Sequence, residues 1–308
     1  MNKILLLGGN GYVGSFLRHK LSEKYSIENV DLNWFTPSND SSLDFNQLEE
    51  SFIQQFDSII LLAGHSSVKM CDGNINSSFN NNVRNFVNLL NKITFNQKFI
   101  YASSSSVYGN TQASSVNEEY SEFIPNNPYD LSKQVIDLYA SQSGKQYYGL
   151  RLGTVNGWSP HLRVDLMINS MVNSALSDNH IKLYVKDIMR PILGINDLSR
   201  AIDKILVSNK DNRGIYNLAS FNSTSGQIAQ EVGTTLQVPV QEYDVDQIEK
   251  ITNVKLQTKA YNFSIQTKKF IDTFQFQFED TMVSIVDSLK NNLDKCVKTV
   301  RSSYRNYE

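Results

Sequence analysis

The stretch "LLLGGNGYVGSFL" constrains the fold more than any other part of the chain. An apolar run from Ile4 to Leu7 ends in glycine, and Val13, Phe16, Leu17 and Leu21 follow at helical spacing. Gly8, Gly11 and Gly14 therefore stand between a predicted strand and a predicted helix. Gly9, Gly11 and Gly14 also satisfy G-x-G-x-x-G. A side chain there would block close approach of the backbone to a pyrophosphate, and the helix N-terminus offers N–H groups and partial positive charge to that anion. Asp31 closes the next predicted strand, where a carboxylate accepts hydrogen bonds from ribose hydroxyls and repels a 2′-phosphate. This arrangement predicts NAD rather than NADP. The alternative is a structural turn followed by a surface aspartate.

Short apolar segments ("YSIENVD", "DSIILLAG", "QKFIYASSS", "QYYGLRLG") alternate with amphipathic ones ("NNVRNFVNLLNKI" at 81–93 and "PYDLSKQVIDLYASQSG"). Such alternation means βαβ units and a parallel sheet covered on both faces. After about residue 155 the rhythm changes: "LRVDLMINSMVNSAL", "INDLSRAIDKILVSN", "TSGQIAQEVGTTL" and "FEDTMVSIVDSLKNNL" read as helices, "IKLYV" and "RGIYNLAS" as strands. The expected architecture is α/β, a Rossmann-like doubly wound parallel sheet with a smaller discontinuous C-terminal α/β lobe. Residues 1–155 form the dinucleotide-binding domain, with 190–220 returning to it. Residues 156–189 and 221–308 form the substrate-binding lobe.

Composition narrows the partners. With 40% hydrophobic and 19% charged residues among 308, the chain belongs with globular rather than disordered or membrane-embedded proteins. A formal net charge of −2 carries no footprint for nucleic acid or an anionic membrane, so neither is expected as a partner. Cys71 and Cys296 lack paired spacing, and His19, His65, His161 and His180 lack a metal-ligand rhythm. No disulfide framework and no metal are expected, and the usage suits a reducing cytoplasm. The opening "MNKILLLGG" is too short an apolar run for a signal or membrane segment.

"NNPYDLSKQ" places Tyr129 and Lys133 four residues apart, on one helical face, with Pro128 suited to the first turn. A nearby ammonium favours phenolate, so Tyr129 is a candidate general acid/base. Spacing alone is a weak signal, because a half-buried Tyr with a surface Lys is common. Position strengthens it: the serine run "YASSSSVYGN" ends a sheet strand, and ligands of open α/β sheets bind beyond the carboxyl ends of the strands.

Together the glycine loop, "ILLAG", "NNV", "SSSSVYG" and "PYDLSK" resemble the extended short-chain dehydrogenase/reductases, specifically their nucleotide-sugar epimerase/dehydratase group. The resemblance is specific through residue 155 and thins beyond it, where "RPILGINDLSRAI" and "GIYNLAS" still match. It implies NAD as cofactor and a nucleotide diphosphate sugar as substrate. It implies that Ser104 holds the reacting sugar hydroxyl, Tyr129 carries its proton, and Lys133 holds the nicotinamide ribose and tunes Tyr129. Gly8, Gly11, Tyr12, Val13 and Gly14 would cradle the pyrophosphate. Ala63, Gly64 and Asn82 match cofactor-side positions, and Asp44 or Asp40 the acid near adenine. A homodimer through helices at about 81–94 and 129–143 is also implied.

Departures from the pattern matter. Dehydratases of this group carry Asp-Glu directly after the catalytic Ser/Thr, and here Ser105 and Ser106 stand instead, which disfavours elimination of water. Both are candidate substrate contacts or backbone-capping hydroxyls. Thr154 replaces a substrate-contacting Asn, and Asp165 is an odd neighbour for a diphosphate. Arg190 matches the arginine expected to grip that diphosphate, or else makes an interlobe ion pair. The expected activity is hydride transfer at a sugar carbinol carbon, by an epimerase or a keto-sugar reductase. Alternatives are a catalytically quiet NAD-binding sensor or scaffold, or a reductase on a substrate that is not a sugar nucleotide.

Overall fold

In a computed structural model, which describes residues 2–34, 42–112, 114–122, 124–208, 212–243 and 261–299, the apolar runs become strands of one parallel sheet. These are β1 (Lys3–Leu7), β2 (Ser26–Val30), β3 (Ser58–Leu61), β4 (Lys98–Ser104), β6 (Gln146–Leu152) and β11 (Gly214–Leu218), in spatial order β11-β6-β4-β3-β1-β2. Smaller sheets pair β5 (Ser115–Val116) with β14 (Ser264–Ile265), and β7 (Thr154–Asn156) with β10 (Met189–Gly194) and β12 (Phe221–Thr224). Others pair β8 (His161–Arg163) with β15 (Val297–Thr299), and β9 (Ile181–Leu183) with β13 (Val240–Glu242). The chain steps outward from β1 to β2, then back to β3 on the other side. A switch point therefore lies at the carboxyl ends of β1 and β3, the usual place for a ligand crevice.

The helices are α1 (Tyr12–Leu21), α2 (Glu50–Ile53), α3 (Val68–Asp72), α4 (Ile75–Phe79), α5 (Asn85–Lys92), α6 (Pro128–Gln142), α7 (Met167–Asp178), α8 (Ile195–Val207) and α9 (Ser225–Leu236). Helices at Lys268–Phe274 and Met282–Lys290 follow. Strand periodicity sends alternate residues to opposite faces, and both are buried. Leu5, Leu7, Ile59, Leu61 and Phe99 pack with Phe86 and Leu90 of α5 and Ile136 of α6. Ile4, Leu6, Ile60 and Ile100 pack with Phe16 and Leu17 of α1 and Ile202 and Ile205 of α8. Two covered faces explain why these strands read as continuous apolar runs.

Some boundaries differ from those expected. The helix anticipated over 81–93 begins as a π-helical turn at Asn80–Arg84 and becomes α-helical only at Asn85. The wider turn accompanies a side-chain bond no spacing rule foresees: Asn82 accepts from the His65 N–H (2.8 Å) and donates to its carbonyl (3.1 Å). Leu162 and Arg163 lie in β8, so α7 starts later than its apolar pattern. The expected boundary at 155/156 falls inside β7. Within 190–220, β11 rejoins the main sheet beside β6, whereas β10 lies between β7 and β12. One continuous core runs from Ile4 and Phe16 to Leu162, Ile168, Ile228 and Ile285. Among the described residues no helix is long and apolar enough to cross a membrane.

Two buried charged groups tie these layers together. The amine of Lys98 donates to the carbonyls of Ile205, Leu206 and Ser208, closing the C-terminal end of α8. Arg151 of β6 pairs with Asp137 of α6 at 2.8 Å, both nearly inaccessible, and donates to the Tyr108 hydroxyl (2.9 Å). Asp137 also accepts from Tyr101 (3.1 Å), and Tyr108 donates to Asn217 of β11 (2.8 Å). Removing one member strands a buried charge. Asp137→Ala should lower unfolding free energy by about 3–5 kcal/mol in urea titration, and adding Arg151→Met should recover most of it.

Candidate active site

A cleft of about 480 Å³ opens at the carboxyl edge of the main sheet. At one end the chain turns at Gly8, with φ of +93°, so close to the next strand that a Cβ would sit 2.5 Å from the Ala63 nitrogen. A Cβ on Gly14 would sit 2.2 Å from the Gly8 carbonyl oxygen. The turn and the first turn of α1 thus touch backbone to backbone. Gly11 caps α1 without a side-chain hydrogen bond, and no acid stands in the first turn of the helix. Asp31 is fixed beside the glycine turn, accepting from the Asn10 and Asn33 N–H groups at 2.8 Å each. Asp44 lines the cleft and caps the short 3₁₀ turn Phe45–Gln47 through Asn46 N–H (2.9 Å). Asp40 lies outside the described residues. A bare, close-packed glycine cradle with an anchored carboxylate beyond it fits a dinucleotide.

The other end is built where β4 stops and α6 starts. Asn127 accepts from the Asp130 N–H (3.0 Å) and Pro128 opens the helix, so Tyr129 and Lys133 rise on its cleft side. Ser104 is the last residue of β4; its Oγ stands 2.8 Å from Ser106 Oγ, and it lines the same cleft as Tyr129. The Lys133 amine donates to the Ala102 carbonyl (2.7 Å) and lies 5.7 Å from the Tyr129 ring centre. Burial dominates both ionisations. It pushes the Tyr129 phenol up to about 12 despite the Ser104 hydrogen bond and the Arg163 charge, and pulls the Lys133 amine down to about 8. The phenol-lowering effect expected of Lys133 is therefore outweighed by desolvation.

Residues 4–219 match the model of the NAD dependent epimerase/dehydratase family. The chain belongs to this family. Its members are enzymes that use NAD. Protein CapI of Staphylococcus aureus is 26% identical over 66% of this chain and 69% of its own. The UDP-glucuronic acid 4-epimerase of Bacillus cereus, bound to UDP-glucuronic acid and NAD, superposes with a TM-score of 0.80 at 18% identity, covering 95% of this chain and 99% of that one. The dTDP-glucose 4,6-dehydratase of Bacillus anthracis, bound to NAD, does so at 0.75 and 20%, covering 96% and 99%. At such identities the two structures speak for the fold.

Gly8, Gly11, Tyr12, Val13, Gly14, Asp31, Asp44, Ala63 and Gly64 all line this family member's cleft, as do Ser104, Ser105, Ser106, Tyr129, Lys133, Thr154 and Arg190. Asn82 stands behind the wall, bonded to the His65 backbone and to Ser132, while Asn81 lines the cleft. The Tyr12 phenol is committed to the second lobe, donating to Gly157 O (2.8 Å) and accepting from Asn169 (3.2 Å). Ser105 donates to Leu152 O (2.8 Å) and Ser106 to Asp130 (2.7 Å). Arg190 donates to the Tyr261 carbonyl and lies over its ring; burial brings its guanidinium down to about 10, still cationic at neutral pH.

Sequence reasoning missed Arg163, which lines the cleft and grips Asp165 through two bonds of 3.1 and 2.8 Å. That pairing accounts for an acid beside a site expected to take a diphosphate, since the pair is neutral. Spacing gives no hint of it, because residues two apart on a chain share no generic contact. His65 and Cys71 form no thiol–imidazole pair among their described bonds: His65 meets Ser78 (3.0 Å) and Cys71 is fully buried.

The lowered Lys133 amine has a direct test. Labelling with acetic anhydride across pH, read by mass spectrometry, should show Lys133 half-deprotonated near pH 8. A midpoint at the ordinary lysine value of 10.5 would contradict the burial argument.

Proposed function

We propose that the protein is an NAD-dependent nucleotide-sugar epimerase or keto-sugar reductase that moves a hydride between the nicotinamide and a sugar carbinol carbon. The meeting of Ser104, Tyr129 and Lys133 in one cleft with the bare glycine cradle carries this reading. Gly8, Gly11, Val13 and Gly14 would hold the pyrophosphate, Asp31 the adenosine ribose and Lys133 the nicotinamide ribose. NAD supplies a hydride acceptor or donor. The chain's own part is to orient the sugar hydroxyl on Ser104 and Tyr129 and to manage its proton. Arg190 would meet the diphosphate with a charge less hydrated than an ammonium, and Thr154 would line the sugar end.

Elimination of water needs a separate acid and base at neighbouring positions. Ser105 and Ser106 offer hydroxyls already bonded to Leu152 and Asp130, which favours epimerisation or reduction over dehydration. A second copy would cover the apolar outer face formed by Leu131 and Leu138 of α6 with Ile75 and Phe79 of α4, all exposed. Their burial is the contribution expected of a homodimer.

Turnover of UDP- and dTDP-sugars separates the two activities. NAD that stays bound without net NADH consumption marks an epimerase; NADH consumed with a keto-sugar nucleotide marks a reductase. Tyr129→Phe should lower kcat by about 10²–10⁴-fold with NADH binding unchanged. Asp31→Ala should admit NADPH, by removing the repulsion of its 2′-phosphate. Full turnover by Tyr129→Phe, or failure of the protein to bind NADH, overturns the reading.

A further inference from the structure

Arg190 lines the cleft and Asp130 is fully buried behind the serine run, yet neither belongs to an ion pair among the described residues. Both bind the same side chain instead. Tyr261, which also lines the cleft, is held between them. Its carbonyl accepts from Arg190, its ring centre lies 5.9 Å from the guanidinium carbon, and its hydroxyl donates to Asp130 Oδ2 at 2.5 Å. Asn127 donates to the same carboxylate oxygen (2.9 Å) and to the Tyr261 hydroxyl. The other oxygen, Oδ1, accepts from Ser106 at 2.7 Å, and Ser106 stands 2.8 Å from Ser104.

The main chain around Tyr261 is held by other means. The Phe263 N–H donates to the Met189 carbonyl (3.3 Å) and the Met189 N–H to the Asn262 side chain (2.9 Å), which ties the segment to β10. Those bonds keep its backbone beside Arg190 but leave the Tyr261 ring a choice of rotamers. The bond from its hydroxyl to Asp130 sets the ring, and the ring is the surface on which the guanidinium lies. An acid in the first turn of a helix, beside the cap residue, is ordinary, and that role accounts for the Asn127 contact. It does not account for a tyrosine 131 residues further along the chain.

We propose that Asp130 is a positioning residue for the substrate diphosphate, fixing through the Tyr261 hydroxyl the ring that carries the Arg190 guanidinium. The inference rests on the function proposed above, in which Arg190 meets that diphosphate. Arg190 Nη1 is engaged by the Tyr261 carbonyl, and the other guanidinium nitrogens bond nothing among the described residues. They remain for an anion, as the flat edge that phosphate oxygens fit bidentately. A guanidinium paired directly with an acid would meet its ligand already neutralised. Steered through Tyr261, whose phenol is raised by burial and stays neutral, it keeps its charge for the ligand. The same carboxylate serves both ends of the substrate, with Oδ2 setting the diphosphate side and Oδ1 the Ser106 hydroxyl on the sugar side.

The test is calorimetric binding of UDP and of dTDP to the NAD-loaded protein. Tyr261→Phe keeps the ring and removes the hydroxyl; it should weaken binding of the nucleoside diphosphate about tenfold, with NADH affinity unchanged. Asp130→Ala should do the same. In an Arg190→Met background, itself weaker for the diphosphate, adding Tyr261→Phe should change the affinity by less than about twofold, because the ring then carries no cation. A ring that merely filled space would weaken binding equally in both backgrounds. Wild-type affinity in Tyr261→Phe, or an equal loss with and without Arg190, overturns the inference. If Asp130→Ala does not fold, the Tyr261 and Arg190 variants complete the cycle without it. Failure of the wild-type protein to bind either UDP or dTDP removes the proposed function and the positioning role with it. Binding by the wild type with no loss in Tyr261→Phe removes the positioning role alone.

Discussion

The contact on which the rest of the molecule depends is backbone against backbone at the glycine turn. Only residues without Cβ let α1 begin against the Gly8–Gly9 peptide and let the turn at Gly8, with its φ of +93°, pass Ala63. That approach aims α1 so that Phe16 and Leu17 cover one face of the sheet. It also brings Tyr12 against Gly157 and Asn169, joining the first helix to the second lobe. The same absence of side chains that permits the packing leaves N–H groups at the cleft edge. Fold and candidate cofactor cradle are one feature.

At the opposite end the supporting structure is polar. Arg151 and Asp137 between β6 and α6 tie the body of α6 to the sheet strand beside the serine run, with Tyr101, Tyr108 and Asn217 satisfying the remaining groups. A buried pair of this kind adds less to stability than its Coulomb attraction suggests, because both charges are desolvated. Its worth lies in geometry. Ser104 and Tyr129 belong to different elements yet line one cleft, and the network beneath them bridges those elements.

Most of this was legible in the sequence, and the exceptions share a cause. Short continuous apolar runs locate β1, β3 and β4, a 3.6-residue period locates α6 and α8, and the glycine spacing with Asp31 marks the cradle, because these signals arise within a few residues of chain. Tyr129 and Lys133 were legible for the same reason. What was not legible depends mostly on pairs distant in sequence, Asn82 turned inward to His65 and Asp130 reached by Ser106 and Tyr261, and in one case on how the cleft wall places near neighbours, Arg163 beside Asp165. The ionisation of Tyr129 belongs here too, since a neighbouring amine is visible in a helical repeat whereas desolvation emerges only once the cleft is built. The π-helical turn at Asn80–Arg84 belongs with these, set by a side chain that bonds a loop rather than by helix propensity.

The proposed activity is the passage of a hydride between the nicotinamide and a sugar carbinol carbon in this cleft. Its most direct measurement is isotope transfer: the NAD-loaded protein is mixed with UDP-sugars deuterated at their carbinol carbons, quenched during turnover, and the nicotinamide analysed by mass spectrometry. Deuterium should be found on the reduced nicotinamide. Product formed while the nicotinamide stays free of deuterium would contradict it.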